Sequence, residues 1–182
     1  QQESQARIIC EKGGVPLLVQ LLSSDKAPLQ FNSLITLSTI FSHPTCLHHL
    51  AAEATQANVV PVTCRLASGG DSQFRIEGLR LLSNLSFADS LVATALVPHV
   101  GKLMVKTLRV GNFDEQRLAL TFAINGAKEE GPADQLIQFG LADRCAALMR
   151  TGTTLSGVTQ CISWACWPAV IWPGRPFCAR VS

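Results

Sequence analysis

A segment that recurs every 40–45 residues constrains this 182-residue chain more than any other feature. Four apolar starts marked by glycine or proline carry it: Gly14-Val15-Pro16-Leu17-Leu18, Val60-Pro61-Val62-Thr63-Cys64, Val100-Gly101-Lys102-Leu103-Met104 and Gly140-Leu141-Ala142-Asp143-Arg144. Val15 and Val60 are 45 residues apart, Val60 and Val100 are 40 apart, and Val100 and Leu141 are 41 apart. A unit of this size cannot bury its own apolar face, so successive units must stack into one continuous core. The spacing therefore predicts a solenoid rather than a globule built around a single centre.

Each unit reads as three helices. A short first helix is expected at Ser4–Glu11, Thr45–Glu53, Asp89–Leu96 and Asp134–Phe139, and the second helix is the apolar start itself. Turns follow at Ser23-Ser24-Asp25, at Ser68-Gly69-Gly70-Asp71 and at Gly111-Asn112-Phe113-Asp114. Asp25, Asp71 and either Asn112 or Asp114 are the expected N-caps, because a short side-chain oxygen can accept the orphan amide protons of the next helix. The third helix is the longest, at 28–40, 73–86 and 115–125. Ile76, Leu79, Leu82 and Leu85 return every three residues in it, as a buried helical stripe requires. Strand-like alternation is missing, so the expected class is all-α.

Composition supports a packed core and narrows the function. Hydrophobic residues make up 47% of the chain against 15% charged, which excludes global disorder. The net charge is only +2 and the basic residues are scattered, unlike the stripe of a nucleic-acid binder, so no nucleic acid is expected. Seven cysteines include no C-x-x-C pair, and Cys10, Cys64 and Cys145 fall among apolar helical residues as small hydrophobes. That usage fits a reducing compartment, the cytoplasm or the nucleus. The apolar run at 162–172 contains Pro168 and is too short to span a bilayer, so no membrane is expected.

The run Gly13-Gly14-Val15-Pro16-Leu17-Leu18-Val19-Gln20-Leu21-Leu22, followed one unit on by Gly78-Leu79-Arg80-Leu81-Leu82-Ser83-Asn84-Leu85-Ser86, resembles the armadillo repeat; the HEAT repeat differs little in physical content. The resemblance covers roughly residues 4–166. It implies a right-handed superhelical solenoid of three-helix repeats over 1–166, about four units with the first and last incomplete. It also implies that an extended peptide or protein segment binds along the groove lined by the third helices. In the family an asparagine late in that helix bonds the peptide backbone, and a tryptophan one turn earlier flanks its side chains. The asparagine positions here are Thr39, Asn84, Asn125 and Pro168, and the tryptophan positions are Ile35, Arg80, Thr121 and Trp164.

A side-chain amide carries a donor and an acceptor, so Asn84 and Asn125 could pair with both backbone groups of an extended chain. The bland reading is that they bond within their own helices. Arg80, with Arg75 and Arg117 near it, points to acidic ligands if these side chains line the groove, and to a solvated helix face if they do not.

Other motifs carry less. Asn84-Leu85-Ser86 matches a glycosylation sequon but lies late in an expected packed helix. Cys46 and His49 could share a helical face, yet zinc needs four ligands and no second pair stands at suitable spacing, so no metal is expected. His99 and the pair Glu129-Glu130 are read as turn residues. No nucleophile elbow, phosphate loop or dinucleotide fingerprint is present. No catalytic residue, enzymatic activity or cofactor is therefore expected. Beyond 166 the composition changes: all three tryptophans lie in 161–182, and residues 167–182 read as a divergent, disordered tail on a truncated array.

These features converge on a monomeric, non-enzymatic scaffold for a protein or peptide partner. The alternatives are a structural spacer, or a substrate-recruiting module of a larger catalytic protein.

Overall fold

In the computed structural model, residues 2–47, 59–88, 90–128 and 130–150 are described. Helices α1 (Gln2–Glu11), α2 (Gly14–Leu22) and α3 (Ala27–Ile40) form the first unit. A helical turn at 44–47 opens the second unit, followed by α4 (Val59–Ala67) and α5 (Ser72–Leu85). The third unit holds α6 (Ser90–Val110) and α7 (Phe113–Gly126), and α8 (Glu130–Gln138) with α9 (Leu141–Arg150) begins a fourth. Among the described residues there is no strand. The rest of the helix expected at Thr45–Glu53, with His48 and His49, lies outside the described residues. So do Trp164, Pro168 and the tail at 167–182.

The units stack as the period requires. Within each, the second helix packs on the third (α2 on α3, α4 on α5, α6 on α7), and between units the third helices lie side by side, α3 on α5 and α5 on α7. One apolar core runs the whole way, from Val15 and Leu22 through Leu37, Leu79 and Met104 to Phe122, Leu136 and Leu148. Each fully buried leucine contributes about 1.5–3 kcal/mol, and these side chains lie between elements 40 residues apart rather than within one helix. Leu79, Leu82 and Leu85 are buried as the three-residue stripe predicts, while Ile76 is only partly covered. Leu81 is buried as well, since a third helix touches both its own second helix and the neighbouring units.

Glycine makes the turns and the close approaches. Gly13 (φ 71°) and Gly140 (φ 91°) adopt the left-handed conformation at the joints before α2 and α9, where a side chain would be strained. Gly78 serves contact instead: a Cβ there would stand 2.9 Å from the Cβ of Ala67 and 3.2 Å from its backbone nitrogen. Its absence lets α5 lie directly on the end of α4.

The third unit departs from expectation. Its first and second helices, expected at Asp89–Leu96 and from Val100, are one 21-residue helix, α6, with Pro98 inside it. Proline removes one hydrogen bond but does not end a helix whose flanks are packed. No left-handed glycine stands at this joint to turn the chain, whereas Gly13 and Gly140 do so at the other two joints among the described residues. Pro98 and His99 are exposed helical residues rather than a turn. The stretch Leu91–Val110 is long and apolar enough to cross a bilayer by length and composition. Here it is the central helix of the stack, with Leu96, Val97, Val100, Met104 and Leu108 enclosed by α4, α7, α8 and α9. Likewise α8 starts at Glu130, four residues before the expected Asp134, with Pro132 in the first turn where its missing N–H matters least.

Two of the expected caps form. The carboxylate of Asp71 accepts from the backbone amides of Gln73 (2.8 Å) and Phe74 (3.2 Å). Asn112 and Glu115 form a reciprocal capping box at α7, each side chain accepting from the other's backbone amide at 3.0 Å. Asp25 does not cap α3: Lys26 holds that position with no side-chain bond, and Pro28 in the first turn limits the number of amides that need a partner.

Candidate functional site

The repeat spacing places equivalent residues of α3, α5 and α7 in register. Ile35, Arg80 and Thr121 share one level of the third-helix row, and Thr39, Asn84 and Asn125 share the next. Ile35 is 37% exposed, Thr39 is exposed, and the Arg80 side chain is 47% exposed with its guanidinium 3.5 Å from Glu77 one turn back. Thr121 is half-buried, and Arg117 is exposed one turn earlier on the same helix. The hydroxyls of Thr39 and Thr121 donate to the carbonyls of Ile35 and Arg117, each 2.9 Å away on its own helix. Five of the seven groove candidates thus share an accessible face, one is enclosed, and Trp164 lies outside the described residues.

The two asparagines do not bond within their own helices. Nδ2 of Asn84 donates to the carbonyl of Ser38 on α3 at 2.9 Å, across 46 residues of sequence. Nδ2 of Asn125 donates to the hydroxyl of Ser86 at 3.0 Å, and that hydroxyl donates to the carbonyl of Ser83. Both amides therefore join one unit to the preceding one. Asn84 is half-buried, whereas Asn125 is only 4% exposed, so its side chain is part of the joint rather than of an open face.

Arg75 likewise does not reach the groove. It lies near the start of α5, where Nε donates to Glu115 Oε1 at 2.8 Å and Nη1 to the carbonyls of Gly70 (2.9 Å) and Gly69 (3.3 Å). Glu115 is nearly enclosed, and its other oxygen accepts from the backbone of Asn112. The pair borders an open cleft of about 330 Å³ between the second and third units, lined also by Lys106, Thr107 and Val110.

The level of Arg75 repeats in a way that the sequence reading missed. Gln30 occupies it in α3 and donates to the carbonyl of Leu22 at 2.7 Å; Gln116 occupies it in α7 and donates to Gly111 (3.0 Å) and Leu108 (3.4 Å). In each of these three units the residue four places after the N-cap thus closes off carbonyls at the end of the preceding second helix or in the turn after it. A long side chain with an N–H donor at fixed distance from the cap was the available signal. Arg144 adds another such contact, its Nε 2.6 Å from the carbonyl of Leu108.

The cysteines offer little ready chemistry. Burial pushes the thiol of Cys64 up to about 11 and that of Cys145 up to about 12, the latter partly offset by Arg144. Burial, followed by the neighbouring Cys46, pushes Cys10 up to about 12. None is ionised near neutral pH, so none of these three is an activated nucleophile. Among the described residues, no group of three or more His, Cys, Asp or Glu side chains could hold a metal ion.

The geometry is that of stacked helical repeats presenting a row of third helices. Residues 2–42 match the family model of the armadillo/beta-catenin-like repeat. Residues 2–42 are thus similar to one armadillo repeat, and the described residues fold as an all-α solenoid of stacked helical units. Among solved structures, three engineered proteins of the Northeast Structural Genomics Consortium are similar in fold. They superpose with TM-scores of 0.72, 0.73 and 0.64 at 22%, 23% and 20% identity, over 87%, 87% and 74% of this chain. The chain spans 62%, 38% and 55% of their respective lengths. No curated protein matches it in sequence.

Proposed function

We propose that this chain is a non-enzymatic interaction scaffold that holds an extended peptide or protein segment along the third-helix row of α3, α5 and α7. The supporting observation is the register: Ile35, Arg80 and Thr121 stand at one level on three adjacent helices, with Thr39 and Asn84 at the next. An exposed apolar side chain, a cation and hydroxyls repeated across parallel helices suit an extended chain better than a compact ligand. Arg80 and Arg117 favour acidic side chains in that segment. Free thiols suit a reducing compartment, the cytoplasm or the nucleus, and we read the chain as a monomer.

A second reading, the structural spacer, draws on Asn84 and Asn125, whose amide donors bond neighbouring units rather than standing open. A display library of linear peptides, selected on the immobilised chain and then tested on the Arg80→Glu, Ile35→Asp double variant, separates the two. Recovered peptides that are acidic and that lose binding to a folded double variant support the scaffold. Peptides that bind both proteins equally contradict it, and a library yielding no binders favours the spacer.

A further inference from the structure

The first unit and the start of the second hold a pair of cysteines that no part of the binding row uses. Cys10, in the last turn of α1, and Cys46, in the helical turn at 44–47, meet in a small apolar cluster with Ala6, Ile9, Leu18 and Ile40. The two thiols lie close enough to interact, although 36 residues separate them in sequence. Cys46 is buried and Cys10 half-buried, so Cys10 is the one open to a reagent. Cys64 and Cys145 are elsewhere, in the main core or packed against it. The stretch between Cys10 and Cys46 contains the whole of α2 and α3, so a bond between these sulfurs would close a loop around the first repeat.

We infer that Cys10 and Cys46 are a disulfide-forming pair, oxidised by small-molecule disulfides, which staples α1 to the start of the second unit. In the first step the Cys10 thiolate attacks one sulfur of the small disulfide, forming a mixed disulfide and releasing one small thiolate. In the second, Cys46 loses its proton and attacks the Cys10 sulfur, releasing the second small thiolate. Two protein thiols lose two electrons and two protons, and the small disulfide is reduced to two thiols. The reaction is slow in the closed state, since burial keeps Cys10 protonated. It proceeds as α1 opens locally, a helix that packs chiefly on α2 and α3. Reduced, α1 can part from the start of the second unit; oxidised, it cannot.

The test uses the full 182-residue chain in glutathione buffers stepped from reduced to oxidised, followed by alkylation and peptide mapping with trypsin and chymotrypsin. The expected result is a linked peptide joining Cys10 to Cys46 as the first disulfide to form, with Cys64 and Cys145 still alkylated. A rise in melting temperature should accompany it. Cys10→Ser and Cys46→Ser should each abolish that rise while keeping the helical circular dichroism of the parent, and Cys145→Ala should not. The inference is overturned if Cys10 stops at the glutathione adduct, or if Cys10 or Cys46 pairs first with another cysteine. It is also overturned if the Cys10–Cys46 link is no larger a share of the disulfides formed in the folded chain than of those formed in urea.

Discussion

Arg75 and Glu115, forty residues apart, form an ion pair 2.8 Å long that joins the start of α5 to the start of α7. The same guanidinium closes off the Gly69 and Gly70 carbonyls, so one side chain secures both the end of its own unit's second helix and the next unit. Removing the partner of the nearly enclosed Glu115 carboxylate is costly because that charge is left without its counterion. Arg75→Ala should therefore lower unfolding stability by roughly 3 kcal/mol. Arg75→Gln should cost less, because Gln30 and Gln116 make the carbonyl contacts from the same level. Urea denaturation of both variants checks this, and equal losses would show that the carbonyl contacts contribute nothing.

The two asparagine joints differ in burial, so they should differ in energy. Asn125→Ala removes an enclosed donor from the Ser86 hydroxyl and should cost about 2 kcal/mol, whereas the half-buried Asn84→Ala should cost about 1 kcal/mol. Thermal unfolding of the two single variants reads the order directly. A larger loss at Asn84 would contradict the joint assigned to Asn125.

Gly78→Ala places a methyl group 2.9 Å from the Cβ of Ala67 and should destabilise by roughly 1–3 kcal/mol through forced separation of α4 and α5. Adding Ala67→Gly removes the opposing methyl and should restore part of the loss. If the single variant melts with the parent, the helices are not in the contact described.

Alkaline pH should weaken the fold through its buried thiols. Cys145 is raised from 9.0 to about 12, so the folded state holds its proton where the unfolded state has released it. The stability this provides is complete below pH 9 and is lost as the pH rises towards 12, at up to about 1.4 kcal/mol per pH unit. The chain has no tyrosine to titrate in the same range. In reducing buffer, Cys145→Ala should therefore show a shallower fall in stability between pH 9 and 10.5 than the parent, and an unchanged slope would remove Cys145 as a cause.

The period and the third helices were legible because they are stated by apolar side chains at fixed spacing: Leu79, Leu82 and Leu85 are buried as their stripe predicts. The fused helix α6 was not, because glycine and proline near residue 100 resemble a repeat start, and only backbone geometry shows that Gly101 does not turn the chain. The polar joints were also hidden. Asn84 and Asn125 were recognisable as special amides, but their partners Ser38 and Ser86 stand in the preceding unit, and local sequence does not say which residue lies opposite. Arg75 reads either as a cation near the groove or as part of a solvated helix face for the same reason, since its partner Glu115 is a whole unit away. The level of Ile35, Arg80 and Thr121 was marked by the resemblance to the armadillo repeat, and the period carries it from unit to unit.

Hydrogen–deuterium exchange of the chain, with and without a peptide recovered from the display selection, tests the binding row most directly. The account predicts slowed exchange in segments of α3, α5 and α7 around Ile35, Arg80 and Thr121, with α2 and α4 unchanged. Protection confined to the second helices, or to the cleft beside Lys106 and Val110, would contradict the assignment of the third-helix row as the binding surface.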